Sequence, residues 1–216
     1  MSDCCSPSGY RRVFSEDRAR ASARRYQRRG LDAMSRDIVE LLRRRGAAGR
    51  TVLEVGSGVG AIEIELLRAG AASAVSVELT PTYENVAASL LRETGFTGRV
   101  ERRIMDFAEQ DAEVGSADFV VLNRVICCYP HMPRLAGAAA RHTDAVLVMS
   151  FPKRTWWTRL LIGMANYALR LSRQQFQIFV HPPDQVRAAA EREGLRTWHH
   201  HRGVFWQVLA MERPLD

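Results

Sequence analysis

The chain has 216 residues, of which 46% are hydrophobic and 25% charged, and its formal net charge at pH 7 is +7. These proportions exclude an extended disordered chain, a collagen-like repeat and a disulfide scaffold, and they predict one globular domain that needs no structural metal. No apolar stretch approaches the roughly 18 residues of a membrane-spanning helix and residues 1–12 lack an apolar leader, so we expect a cytoplasmic protein.

The first segment with a helical pattern is strongly basic. Between Arg11 and Arg29, eight arginines stand against two acidic residues. Such a segment is typical of a nucleic-acid footprint, of a site for an acidic ligand or of a solvated helix face, and these interpretations stay open. The helical pattern of Ser15 to Arg45 predicts a helical cap over residues 1–48.

From Thr51 onward, short β-branched runs alternate with helical stretches. This alternation predicts an α/β fold with a Rossmann-like, doubly wound sheet over residues 49–150. The predicted strands are Thr51–Val55, Ala74–Leu79, Arg99–Met105, Phe119–Leu122 and Ala145–Met149, with helices Ala61–Ala69, Thr82–Glu93 and Pro133–Arg141 between them. Residues 183–216 are predicted to end in a hairpin of Leu195–His201 and Val204–Glu212.

Residues 151–182 are predicted to form a helical insertion before that hairpin. Apolar side chains recur there at steps of three and four residues, and arginines interrupt them, which indicates an amphipathic rather than a transmembrane helix. The helix can pack into the core, cover a substrate pocket, lie on a membrane or form a homodimer surface.

The most informative segment is a glycine-rich loop after the first strand. Gly56, Gly58 and Gly60 permit positive φ angles and a close approach of a ligand to the main chain. Glu54 before them suits a ligand with an ammonium group, and Glu78, 24 residues later, can accept both hydroxyls of a ribose. The spacing predicts a nucleoside site, while the lack of a Gly-Lys-Ser/Thr sequence excludes a P-loop.

A second pair of candidate residues follows the third strand. Asp106 can accept the exocyclic amine of adenine, and the ring of Phe107 can pack on the base.

These motifs resemble the class I S-adenosylmethionine-dependent methyltransferases over roughly Thr51 to Arg213. The resemblance implies a seven-stranded sheet with an antiparallel last strand, and S-adenosyl-L-methionine as cofactor with S-adenosyl-L-homocysteine as product. It implies the following cofactor contacts besides Glu54 and Gly60: Gly56, Ser57 and Gly58 at the methionine and ribose portions, Glu78 at the ribose, Leu79, Asp106 and Phe107 at the adenine, and Asn123 and Arg124 at the methionine portion. Tyr26 in the basic segment is predicted to close over the cofactor carboxylate.

Within that family, the chain is similar to the magnesium-protoporphyrin O-methyltransferase branch in three segments: Asn123–Pro130, residues 176–182 and Phe205–Trp206. In the first segment, Cys128 stands where that branch has a histidine. We predict a pocket for a small apolar or aromatic molecule that can carry an acid met by arginines. Its predicted substrate contacts are Cys128, Tyr129, Trp156, Trp157, Leu160, Met164 and His181. The candidate catalytic groups are His181, His131 and Tyr129.

Three alternatives remain open at this stage. Thiolates of the adjacent pairs Cys4–Cys5 and Cys127–Cys128 can hold a soft metalloid, as in arsenite methyltransferases, although reduced thiols alone fit their spacing. The basic segment favours an RNA methyltransferase, against which the Asp/Asn-Pro-Pro-aromatic signature is missing, so nucleic acid is the weaker expectation. The third alternative is a non-catalytic cofactor-binding module.

No metal site is predicted from the three consecutive histidines His199–His201. Strand alternation sends the side chain of His200 to the face opposite the other two.

Overall fold

In a computed structural model, which describes residues 7–214, the strands form one sheet. They are β1 (Thr51–Val55), β2 (Ser73–Glu78), β3 (Val100–Ile104), β4 (Ala117–Asn123), β5 (Thr143–Pro152), β6 (Arg196–Arg202) and β7 (Trp206–Glu212). Their order across the sheet is β3-β2-β1-β4-β5-β7-β6. The first five strands are parallel, and β7 runs antiparallel to both of its neighbours. The predicted seven-stranded, doubly wound α/β sheet is confirmed.

The α-helices in the described range are α1 (Pro7–Val13), α2 (Glu16–Arg29), α3 (Ala33–Arg44), α4 (Ala61–Arg68), α5 (Glu84–Thr94), α6 (Phe107–Gln110), α7 (Met132–Arg141), α8 (Trp156–Leu171) and α9 (Pro183–Glu191). The stretch Ser15–Arg45, which has a continuous helical pattern, is divided into α2 and α3. Gly30, with φ of 67°, ends α2, and the Asp32 carboxylate caps α3 by accepting from the Ser35 N–H at 3.2 Å.

The central strands β1, β4 and β5 are buried on both faces and are nearly continuously apolar, whereas the edge strands β3 and β6 are polar and largely exposed. Leu53 of β1 points into a layer with α7 and α9, whereas its neighbour Val52 points into a layer with α3 and α4. The parallel strands therefore end at one common edge, and the loops that follow β1, β2 and β4 meet there.

Helix α8 lies outside both layers. Of its 16 residues, only Thr158 and Ile162 are buried, which contradicts the core-packing interpretation of its apolar positions. No helix within residues 7–214 has both the length and the apolar character that crossing a bilayer requires.

Candidate functional site

A cavity of about 340 Å³ opens where β1, β2 and β4 end. The structure brings eleven of the predicted site residues to its wall. They are Gly56, Ser57, Gly58, Glu78, Leu79, Asp106, Phe107, Asn123, Arg124, Cys128 and Tyr129. The location is the edge of a doubly wound sheet at which connections from neighbouring strands leave toward opposite faces, the usual ligand site of such folds.

The three glycines of the loop all have positive φ angles, and two of them also lack room for a Cβ. Gly56, Gly58 and Gly60 have φ angles of 68°, 60° and 80°. A Cβ on Gly56 would overlap the side chain of Val125, and one on Gly60 would overlap the Glu63 carboxylate. Glycine is therefore required both for the turn and for the main chain to reach the cavity.

Glu78 is one of the two acidic residues that line the cavity in the described chain. Its carboxylate accepts a hydrogen bond from the Gly58 N–H, which ties the end of β2 to the glycine loop. Burial raises the pKa of Glu78 to about 7, although the Gly58 N–H and the nearby Arg102 guanidinium act in the opposite direction. A buried acceptor of this kind suits vicinal hydroxyl donors.

Arg102, which the sequence analysis did not select, supports the loop from behind. Its side chain is 9% exposed, and it donates to the Glu84 carboxylate at 2.8 Å, to the Gly58 carbonyl at 3.1 Å and to the Ser57 hydroxyl at 3.3 Å. A signal existed in the Arg102-Arg103 pair of β3, because strand alternation turns one of two consecutive arginines inward.

Glu54 does not lie on the cavity wall, which differs from the expectation that it meets an ammonium group. Its carboxylate accepts from the Glu63 N–H at 3.1 Å and is 2% exposed. Burial and the adjacent Glu63 carboxylate raise the pKa of Glu54 well above its usual range. Glu54 therefore anchors the start of α4, and Gly60, which also lies off the wall, is the left-handed residue that precedes this helix.

Asp106 and Tyr129 form a pair at the far end of the cavity. The Tyr129 hydroxyl lies 3.1 Å from both carboxylate oxygens of Asp106, which also accepts from the Ala108 N–H at 3.1 Å at the start of α6. Burial and the Asp106 charge raise the pKa of Tyr129, so its phenol stays protonated and donates. Phe107 is buried beside this pair.

Asn123 and Arg124 occupy the end of β4. Arg124 has a φ of 63°, a conformation uncommon for a residue with a side chain, and its N–H donates to the Ser150 hydroxyl at 2.9 Å. Its guanidinium donates to Asp32 at 2.9 Å, while its buried Nε has no hydrogen-bond partner among residues 7–214. The Asn123 amide donates to the Ser35 hydroxyl at 3.1 Å.

Aromatic residues of α1 and of the position directly after it close one side of the cavity. Tyr10 and Phe14 line it, and both rings pack edge-on against Phe176, at centroid distances of 5.4 and 5.5 Å. The Tyr10 hydroxyl donates to the Cys128 carbonyl. The sequence analysis missed both residues; their separation by four residues, which places them on one helix face, was the available signal.

Two described cysteines, Cys127 and Cys128, lie side by side after the end of β4. Their Sγ atoms lie 3.8 Å apart; Cys127 is buried, and Cys128 is on the cavity wall. Cys4 and Cys5 lie outside the described residues, and no group of three or more potential metal ligands occurs in residues 7–214.

Tyr26 does not reach the cavity. Its hydroxyl donates to the Glu65 carboxylate at 2.6 Å and accepts from Arg68 at 3.0 Å, and its ring packs in the apolar cluster among α2, α4 and α5. The prediction that it closes over a cofactor is therefore not supported, because the α2 face that carries Tyr26 is the one packed on α4.

The two candidate histidine bases also lie off the wall. His131 is exposed at the start of α7. The His181 Nε2 lies 3.0 Å from the Tyr129 carbonyl oxygen, and burial lowers the pKa of His181, so a neutral ring donates there and positions the Tyr129 loop.

The predicted substrate contacts from α8 do not line the cavity either. Trp156, Leu160 and Met164 are exposed to solvent, and Trp157 packs on Phe205 at a centroid distance of 5.9 Å. The amphipathic pattern was detected correctly, but its apolar face points away from the site.

The comparisons with known proteins agree with this geometry. The sequence matches the methyltransferase domain family over residues 22–200. Magnesium protoporphyrin IX methyltransferase (ChlM) from Synechocystis PCC 6803 with bound SAH has a TM-score of 0.68 at 18% identity, covering 84% of this chain and 82% of that one. An O-methyltransferase family protein from Burkholderia thailandensis has a TM-score of 0.66 at 20% identity, covering 83% and 56%.

A third structure, an O-methyltransferase family 2 protein from Planctomyces limnophilus DSM 3776 in complex with apigenin, has a TM-score of 0.61 at 16% identity, covering 86% and 63%. Identities this low establish a shared fold and nothing finer. No curated protein sequence matches the chain significantly.

Proposed function

Because the chain belongs to the methyltransferase domain family, it is an S-adenosylmethionine-dependent methyltransferase, and we propose that it methylates a small apolar molecule at an acidic oxygen. The observation that carries this proposal is the composition of the cavity wall. Aromatic and aliphatic side chains dominate it, and the one cation among its described residues is Arg124. Such a wall suits an apolar molecule with a single anionic group.

The residues of the wall fit the cofactor. The glycine loop exposes main chain where a Cβ would collide, and the Glu78 carboxylate is buried beside it. We propose that Glu78 accepts the ribose hydroxyls, that Asp106, Phe107 and Leu79 hold the adenine, and that the glycine loop surrounds the remainder. When bound, S-adenosylmethionine supplies a methyl group on a positively charged sulfur.

The chain's own contribution is alignment and exclusion of water. An in-line displacement requires a fixed nucleophile in a dry site, and the aromatic cover of Tyr10 and Phe14 serves both needs. A carboxylate acceptor is already ionised at neutral pH and needs no general base. This agrees with a described wall that contains neither histidine nor lysine.

Arg124 is the proposed partner of that acid. Its guanidinium is held by Asp32 through one nitrogen at 2.9 Å, while the side chain is 38% exposed and lines the cavity. A guanidinium that is fixed in this way and still accessible is suited to an anionic oxygen.

The test is a methyl-transfer assay with a panel of apolar carboxylic acids and their matched primary amides. We expect turnover of acids and none of the amides. Arg124→Met should raise the acceptor KM at least tenfold and leave the Kd of S-adenosylhomocysteine unchanged, whereas the control Arg134→Met, at a surface ion pair with Glu109 of 2.6 Å, should change neither.

Two outcomes would contradict the proposal. Equal turnover of acids and amides would show that the methyl acceptor does not have to be an acidic oxygen. A weaker Kd for S-adenosylhomocysteine in Arg124→Met would instead assign Arg124 to the methionine portion of the cofactor, as the sequence resemblance implies.

A second candidate is methylation of RNA, which one observation favours. Ser22 of α2 lines the cavity, so the exposed arginines on the remaining faces of α2 lie near its opening. An RNA acceptor would lose affinity by orders of magnitude between 50 and 200 mM salt, and a small molecule would not.

A further inference from the structure

The widest apolar surface of the described chain lies on α8. Six of its large side chains are between 50% and 78% exposed, whereas isolated apolar residues are the rule on protein surfaces. They are Trp156, Leu160, Leu161, Met164, Tyr167 and Leu171. We call these six side chains the α8 face.

Helix α8 is firmly held by its opposite side. The Thr155 hydroxyl caps its start by accepting from the Thr158 N–H at 3.3 Å. The Asn166 amide donates to the Ile178 carbonyl and accepts from the Ile178 N–H, both at 2.8 Å. Ile162 is buried beneath the helix. The α8 face is therefore presented outward on a fixed helix and is not the exposed side of a loosely packed segment.

The charge around the α8 face is of one sign. No acidic residue occurs between Asp144 and Asp184, and this interval contains five basic ones: Lys153, Arg154, Arg159, Arg170 and Arg173. Helix α1 carries the exposed Arg11 and Arg12 near the end of α8, because Tyr10 of α1 and the following Phe14 pack against Phe176, five residues after Leu171.

We propose that the α8 face docks the protein on the anionic surface of a lipid bilayer, with α8 lying in the plane of the interface. An apolar face with a tryptophan, a tyrosine and leucines, flanked by arginines, is the composition of interfacial helices. The 16 residues of α8 are too few to span a bilayer, which agrees with a helix on the surface.

A second copy of the chain fits the α8 face less well than an anionic bilayer does. A symmetric dimer through the α8 face would bring the same cationic rim of both copies together, and no acidic residue of the interval 145–183 would offset the repulsion. Anionic headgroups supply the opposite charge. This inference rests on exposure and charge and does not depend on the identity of the methyl acceptor.

The test is co-sedimentation of the full chain with vesicles of phosphatidylcholine alone and with 30% phosphatidylglycerol, at 50 and 300 mM salt. We expect binding to anionic vesicles at least tenfold tighter than to neutral ones, weakened by salt. The double variant Leu160→Ser/Met164→Ser should lose at least tenfold in binding. Ile104→Ser, at a 44% exposed apolar position of β3, is the matched control and should bind as wild type.

Unfolding temperatures establish that the variants are folded, since all substituted residues are exposed. Equal binding of wild type and the double variant, or binding to neither vesicle type, would overturn the proposal. A wild-type dimer in solution that the double variant dissociates would do so too, because the α8 face would then be occupied by a second copy. The outcome is independent of methyl-transfer activity.

Discussion

Burial of Glu78 and its proposed binding of a ribose favour opposite protonation states of its side chain. Burial favours the neutral acid and raises its pKa to about 7, whereas hydroxyl donors of a ribose require the carboxylate. The ionised form is therefore disfavoured in the empty folded state, and the stability associated with Glu78 falls as the pH rises from its usual pKa of 4.5 to above 7. The residue is a site where ligand binding and stability conflict.

Replacing Glu78 by Gln tests this conflict. We expect the affinity for S-adenosylhomocysteine to fall by roughly 10- to 100-fold, because a charge-assisted acceptor is lost. Wild-type affinity should decline below pH 7 and that of the variant should not, by calorimetry at pH 6 and 8. The variant without ligand should also melt higher than wild type at pH 8 but not at pH 4. A uniformly lower melting temperature would show that Glu78 is mainly structural.

Gly56 is a second residue whose role follows from geometry alone. An alanine there would need a positive φ and would overlap Val125, so Gly56→Ala should cost about 1–3 kcal/mol of unfolding free energy and weaken cofactor binding. The control Gly98→Ala, at a position with no atom within 4 Å of the added Cβ, should change neither. If the double variant Gly56→Ala/Val125→Ala were no more stable than Gly56→Ala, overlap with Val125 would not be the cause of the lost stability. Chemical denaturation measures the unfolding free energy of Gly56→Ala, of Gly98→Ala and of the double variant.

At the scale of elements, β3 holds the glycine loop through one buried side chain. Arg102 connects Glu84 of α5 to the main chain of Gly58, and its guanidinium is 3.6 Å from the Glu63 carboxylate of α4. Three elements therefore depend on one cation, and removing it would leave the buried Glu63 carboxylate and the partly exposed Glu84 carboxylate without their counter-charge.

We expect Arg102→Met to lower the unfolding free energy by about 3–5 kcal/mol and to weaken S-adenosylhomocysteine binding. The adjacent Arg103→Met should cost about 1 kcal/mol or less, because its ion pair with Glu101 is partly exposed. Urea denaturation compares the two variants. Similar losses for both would contradict the assignment of Arg102 as the support of the loop.

For the whole molecule, the cavity couples ligand binding to global stability. It is lined by the ends of three strands and by α1, so a ligand contacts segments that are distant in sequence. A ligand that binds only the folded state at 100 times its Kd stabilises it by about 2.7 kcal/mol.

S-adenosylhomocysteine at that concentration should therefore raise the melting temperature by roughly 5–10 °C for a chain of this size. NAD is the control and should give no shift, and Glu78→Ala should abolish the shift. An equal shift with NAD would indicate a dinucleotide site instead.

The sequence by itself determined the family, the α/β sheet, the cofactor and most of the cavity wall. Strand periodicity and glycine spacing are local properties, and parallel strands bring the ends of β1, β2 and β4 to one edge whatever packs around them. That is why Gly58 and Glu78 could be selected from their spacing and Asp106 from its position after the third strand, and the structure brings the three together.

Only the tertiary structure decided which face of each helix meets the cavity. An amphipathic pattern shows that a helix has an apolar face but not what covers it, so α8 was assigned to the substrate although its face is exposed. Likewise Tyr26 points toward α4, and Tyr10 of α1 and the following Phe14 lie beside the cavity instead. Those outcomes depend on packing between segments far apart in sequence, which local spacing does not record.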